Sequence, residues 1–192
     1  MEKWFHNKVL EHIDIFQKIN EDDALMENVF NVAKCISQSM ENGGALYLCG
    51  NGGSAADAQH IAAEFVSRFY LERKALNAEA LSVNTSSITA IGNDYEYGRV
   101  FRRQIEAKGR PGDVLIGIST SGTSENVIRA LDYAKENGIF SVLMTGNKID
   151  KNSVNYEYVI NVPSGDTPRI QEGHIFIGHL LAEIVERNFV EV

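Results

Sequence analysis

The sequence predicts an α/β protein in which a parallel sheet is flanked by helices and preceded by N-terminal helices. Three observations carry this. Five short, almost continuously apolar runs occur at 45–49, 80–83, 114–118, 140–144 and 158–162, as expected of strands buried on both faces. Small-residue loops and helical stretches alternate with these runs, the pattern of crossover-connected parallel strands. Finally, residues 1–42 contain no Gly or Pro, and their apolar positions recur at helical spacing.

The N-terminal elements come first. Trp4, Val9, Ile13 and Phe16 form one apolar set, and Leu25, Val29, Val32, Ala33 and Ile36 the next. Two helices fit, separated near the acidic stretch Asn20-Glu21-Asp22-Asp23, with Gly43-Gly44 ending the second. The chain accordingly divides into a helical segment over 1–42, expected to serve oligomerisation, and an α/β domain over 43–192. Charge narrows the partners. Eighteen Lys and Arg face 26 Asp and Glu, a net charge of −8, which argues against a binder of nucleic-acid phosphates. No signal peptide is visible, and no apolar run reaches the roughly 20 residues of a membrane span. Cys35 and Cys49 are too few for a disulfide scaffold and read as core thiols. A cytoplasmic protein with no membrane partner is expected.

The first run leads into Cys49-Gly50-Asn51-Gly52-Gly53-Ser54-Ala55-Ala56-Asp57. Its glycines allow a sharp turn and close approach of backbone to a ligand, and the helix start that follows offers free N–H groups to an anion. A plain tight turn with a Ser cap is the simpler alternative. The loop also fits G-x-G-x-x-A, but a dinucleotide site expects an acid at the end of the next strand. Asn84-Thr85-Ser86 stands there instead, and no nucleotide is expected. The third run leads into Ser119-Thr120-Ser121-Gly122-Thr123-Ser124, which alone is either a solvated loop with a helix cap or a set of hydroxyls and backbone N–H groups that can surround a phosphate without Lys or Arg. Two such loops at strand ends favour a small phosphate ester in the crevice of a parallel sheet.

The stretch 54–69 reads as a helix carrying His60 and Glu64 four apart, on one face. This is either a surface pair or, in an Ala-rich helix packed closely on neighbours, a partly desolvated base; the two residue types at this spacing also suit a divalent metal. A closing helix over 169–187 carries Gln171 and His179 eight apart, on one side, with His174, read as structural or solvated, on another; in so apolar a helix His179 is either a satisfied core histidine or part of a site. Asn93 and Asp94 read as part of a loop.

Together the motifs CGNGGSAADAQHIAAEF, AIGNDY, DVLIGISTSGTSENV and TPRIQEGHIFIGH resemble the sugar isomerase (SIS) domain family, and within it the phosphoheptose isomerases. The resemblance implies a five-stranded parallel sheet between helices, a flavodoxin-like three-layer fold, assembled as a homotetramer. The implied reaction converts sedoheptulose 7-phosphate to D-glycero-D-manno-heptose 7-phosphate, the first step towards ADP-heptose for lipopolysaccharide. Carried over by position, substrate contacts fall on Asn51, Gly52, Gly53, Glu64, Asn93, Asp94, Ser119, Thr120, Ser121, Ser124 and Gln171. The acid–base pair falls on Glu64 and His179, and zinc ligands, one ion per subunit, on His60, Glu64, Gln171 and His179. The stretch 145–150 departs from the family by lacking a Gly-rich turn. A related branch binds the replication initiator DnaA without sugar chemistry, but lacks the Glu and His that this chain carries.

Overall fold

A computed structural model describes residues 1–149 and 156–190. Two N-terminal helices, α1 (Glu2–Glu21) and α2 (Asp23–Glu41), precede the α/β unit. Asp22 separates them and caps α2, its carboxylate accepting the Leu25 N–H at 2.9 Å. Gly43 then turns the chain away at φ +79°. The sheet comprises β1 (Leu46–Gly50), β2 (Ala78–Ala80), β3 (Val114–Ile118), β4 (Phe140–Gly146) and β5 (Tyr158–Val162). All four pairings are parallel, in the order β2-β1-β3-β4-β5.

Alternation along the strands builds two cores. Leu46, Leu48, Val114, Ile116, Val142 and Met144 face α2, α3 (Gly53–Val66) and α7 (Thr167–Asn188). Tyr47, Cys49, Leu115 and Leu143 face the opposite layer, where α5 (Arg102–Lys108) and α6 (Glu125–Glu136) supply Ile105, Val127 and Leu131. Side chains on successive strand residues point to opposite faces, so one run of apolar residues serves both layers.

The remaining elements correct the sequence reading. The second strand lies at 78–80 rather than 80–83; it is the sheet edge and carries Glu79, ion-paired to Lys108 at 2.6 Å, a charge typical of a short edge strand. Its ladder extends only to the Leu81 N–H, which donates to the Leu48 carbonyl. Asn93 and Asp94 end a helix, α4 (Thr85–Asp94), rather than lying in a loop. Asn84 starts that helix by accepting the Ser87 N–H at 2.9 Å, but α4 is short and fully buries no residue, resting on the core only through the partly buried Ile88 and Ile91. A short 3-10 turn at Tyr97–Arg99 follows. Helix α3 stops at Val66, leaving Phe69 outside it. Thr145 and Gly146 complete β4, Asn147 to Ile149 follow it, and Asp150 lies outside the described residues. Of the two thiols, Cys49 is in the core and Cys35 only partly buried; neither forms a disulfide. Among the described residues, no helix is long and apolar enough to cross a membrane.

Candidate active site

In a parallel sheet ordered 2-1-3-4-5, the chain reverses direction between β1 and β3, and the crevice lies past their carboxyl ends. The two small-residue loops emerge there. After β1, Gly52 adopts φ +56° as the residue before α3, and no side chain caps that helix. After β3, Ser124 precedes α6, again with no side-chain cap. Both helix starts therefore leave first-turn N–H groups for an anion. The Ser119 hydroxyl donates to Ser124 Oγ at 2.9 Å, and Ser121 Oγ lies 3.0 Å from Thr123 Oγ1. Gly122, at φ +68°, bends the loop between them.

Asn126 ties the two loops together, a link the sequence reading missed. Its amide and that of Asn51 exchange hydrogen bonds at 2.8 Å in each direction, and the Tyr97 hydroxyl donates to Asn51 Oδ1 at 3.1 Å. Asn126 is buried, so this pair fixes the spacing of the loops from inside. Of the other expected contacts, Asn93 and Asp94 are exposed at the end of α4, where the Asn93 amide donates to Asp94 at 3.0 Å. Thr120 is partly buried in the loop after β3.

Helices α3 and α7 bring three candidate residues together. His60 Nε2 lies 3.2 Å from His179 Nε2 and 3.3 Å from Glu64 Oε1. One donor atom from each of the three falls within 4.8 Å of the others. Glu64 is 23% exposed and His60 51% exposed, so the cluster is open to solvent with Glu64 more buried than His60, and both residues lie two to three turns along α3 from the glycine loop. Two facing imidazole nitrogens with a carboxylate alongside make a sound ligand set. A tetrahedral site with bonds of about 2.0–2.1 Å has edges near 3.3 Å, close to the spacings here. Gln171, the fourth expected ligand, rests its amide against Gly53 at the glycine loop.

Three neighbours shape this cluster. Gly178 lets α7 approach α3, since a β-carbon there would lie 2.6 Å from Ile61 Cγ1. The Phe69 ring stacks on His179, centroids 5.5 Å apart at 27°. Asp57, one turn before His60, has a buried oxygen without a partner, and burial raises its pKa against the pull of His60. His174, which the sequence set apart from the site, is fully buried under the sheet.

Comparison with known proteins bears directly on this arrangement. The SIS domain family matches residues 11–146. The phosphoheptose isomerase of Clostridium acetobutylicum is 49% identical over 188 residues, covering 98% of this chain and 96% of that one. The chain belongs to the SIS-domain family, in its phosphoheptose isomerase branch. The branch extends across species: the Aneurinibacillus thermoaerophilus phosphoheptose isomerase is 48% identical over 97% of this chain and 94% of its own. The solved phosphoheptose isomerase of Neisseria gonorrhoeae superposes with a TM-score of 0.89 at 39% identity, covering 97% of this chain and 98% of that chain. That similarity spans α1 and α2 as well as the sheet, so the N-terminal helices are part of this branch's shared architecture.

Proposed function

We propose that this phosphoheptose isomerase interconverts sedoheptulose 7-phosphate and D-glycero-D-manno-heptose 7-phosphate, at the start of heptose biosynthesis. The observation that carries the reading is the meeting of His60, Glu64 and His179 across α3 and α7, on a fold that also carries two uncapped helix starts past the carboxyl ends of β1 and β3. The phosphate is held by Ser119, Thr120, Ser121 and Ser124 with the N–H groups of α6. Asn51, Gly52, Gly53, Asn93, Asp94 and Gln171 contact the sugar. Binding energy at the phosphate is thereby used to align the reacting carbons.

The reaction moves a proton between adjacent carbons through an enediol(ate), with a second transfer between the two oxygens. Glu64 and His179 are the acid–base pair, one serving the carbon-bound proton and the other the oxygens. His60, Glu64, Gln171 and His179 would hold one zinc ion per subunit, which when bound supplies polarisation of the carbonyl and stabilisation of enediolate charge. The subunits assemble as a homotetramer in the cytoplasm; the apolar row of α1 supports the assembly and the two unpaired cysteines support the compartment.

Incubation with sedoheptulose 7-phosphate, with product stereochemistry read by NMR, tests the reading. The expected result is the D-glycero-D-manno aldose at equilibrium with its ketose. Sugar phosphate bound without turnover would return the protein to the non-catalytic branch of the family.

A further inference from the structure

Residues 67–77, between α3 and β2, form neither helix nor strand, yet one buried ion pair gathers them. On α7, the Glu186 carboxylate accepts the backbone N–H groups of Phe69 and Tyr70 at 2.7 Å each and of Leu71 at 2.9 Å. Arg73 Nε lies 3.5 Å from Glu186 Oε1, and both side chains are 1% exposed. The rest of the guanidinium faces the end of α3. Its Nη2 donates to the Glu64 carbonyl at 2.7 Å, and Nη1 donates to the carbonyls of Phe65 and Ser67 at 2.7 Å and of Lys74 at 3.0 Å. Two of these, Glu64 and Phe65, are among the last helical carbonyls, which have no intrahelical partners.

We propose that Arg73 and Glu186 are positioning residues for the Glu64–His179 pair: Arg73 holds the Glu64 backbone, and Glu186 holds the loop that lays Phe69 on the His179 ring. Neither residue touches reacting atoms, and the assignment rests on the acid–base reading above. The geometry favours positioning over simple cohesion. A buried ion pair is a poor way to add stability, because desolvation offsets most of the attraction and an apolar pair of similar volume often holds a core as well. What a carboxylate with three aimed N–H donors gives is a fixed path for the chain. Burial opposes ionisation of Glu186, but the N–H groups of Tyr70, Phe69 and Leu71 and the Arg73 charge outweigh it, and its pKa lies below the usual glutamate range.

The test compares Arg73→Lys, Glu186→Gln, Phe69→Leu and the apolar pair Arg73→Met/Glu186→Leu with the parent protein. Measured are kcat, KM, thermal midpoint and affinity for Co²⁺ alone by absorbance. Arg73→Lys and Glu186→Gln are expected to lower kcat about 10- to 100-fold with KM little changed, as misplacement of acting groups does. Co²⁺ affinity should fall about tenfold or more, the scale seen when supports of metal ligands are removed. In the apolar pair, which leaves the three N–H groups and four carbonyls without these partners, both the thermal midpoint and kcat should fall. Phe69→Leu leaves the ion pair intact and should lower kcat at nearly unchanged midpoint, so a failure of the other variants to fold still leaves a decisive result. Parental kcat in the apolar pair, or in Phe69→Leu, would overturn the proposal. Glu64→Gln and His179→Asn run alongside: parental turnover in those two would overturn the acid–base reading itself, separately from the positioning role.

Discussion

Gly178 of α7 lies against Ile61 of α3 with no room for a β-carbon, and the residues next to this contact, His60 and His179, meet at 3.2 Å. The closest approach of the two helices thus coincides with the meeting of their histidines. Gly178→Ala should gain about 1 kcal/mol of helix propensity. It should lose about 1–3 kcal/mol to overpacking. The net effect on the thermal midpoint is therefore small or negative, while kcat drops about tenfold as the helices part. A rise in midpoint with parental kcat would show that helix spacing is unimportant.

Zn²⁺ or Co²⁺ should raise the thermal midpoint of the chelator-treated protein. A ligand at 100 times its dissociation constant contributes about 2.7 kcal/mol. His60→Ala removes a ligand from the cluster without removing the acid–base pair, so this stabilisation should largely vanish. Calorimetry with and without metal checks it, and an undiminished shift in His60→Ala would place the ion elsewhere.

Glu64→Gln and His179→Asn should fold, bind sugar phosphate and lose at least about a hundredfold in turnover, the usual range of acid–base catalysis. Ser121→Ala with Ser124→Ala should instead raise KM more than it lowers kcat, because the phosphate grip is weakened in ground and transition states alike. Steady-state kinetics separate the two patterns. Near-parental turnover in His179→Asn would leave that residue a packing histidine.

His174 is fully buried, and neither ring nitrogen has a partner of hydrogen-bonding geometry. Burial pushes its pKa down to about 4, against a weaker opposing contact with the Thr145 backbone. In the unfolded chain it titrates near 6.5, so between about pH 6.5 and 4 the unfolded state holds the extra proton and stability falls as pH falls. The loss is on the order of 3 kcal/mol across that window. His174→Met should flatten this slope in urea unfolding measured from pH 4 to 8, and an unchanged slope would assign the acid sensitivity to other groups.

Helix α1 buries only Ile15 and Ile19 and leaves Trp4, Phe5, Val9, Leu10 and Ile13 exposed. Five large apolar side chains left open on one helix are unusual on a lone subunit. Sedimentation should give a particle several times the 21.3 kDa chain mass, and Trp4→Glu with Ile13→Glu should shift it to smaller species. A monomer at micromolar concentration would remove the assembly.

What could be read in advance follows from which forces leave a periodic trace. Four of the five strands were legible because burial on both faces demands apolar runs, and β2 was misplaced because an edge strand tolerates Glu79 and needs only three residues. The His60–Glu64 pair was legible from its i, i+4 spacing, whereas the spacing of His179 from Gln171 left it open as a core histidine and only the resemblance to the family joined it to Glu64. Helix α4 was not legible, since two isoleucines, Ile88 and Ile91, are too few to show a helical period, and Phe69 was assigned to α3 because nothing local marks where Arg73 captures the last carbonyls. The Arg73–Glu186 pair and the Asn51–Asn126 exchange join residues distant in sequence through single polar contacts, which no window of neighbouring residues can reveal.

The sheet divides the labour of the crevice. The helices bearing His60, Glu64 and His179 lie in one layer with the apolar face of Leu46, Val114 and Val142, whereas α6, which follows the hydroxyl loop, lies in the other. A change of side chain near the histidines is thus separated by the sheet from the packing of α6 behind the hydroxyl loop. Substitutions at the α3–α7 contact should therefore disturb the histidines while leaving the loop that leads into α6 in place.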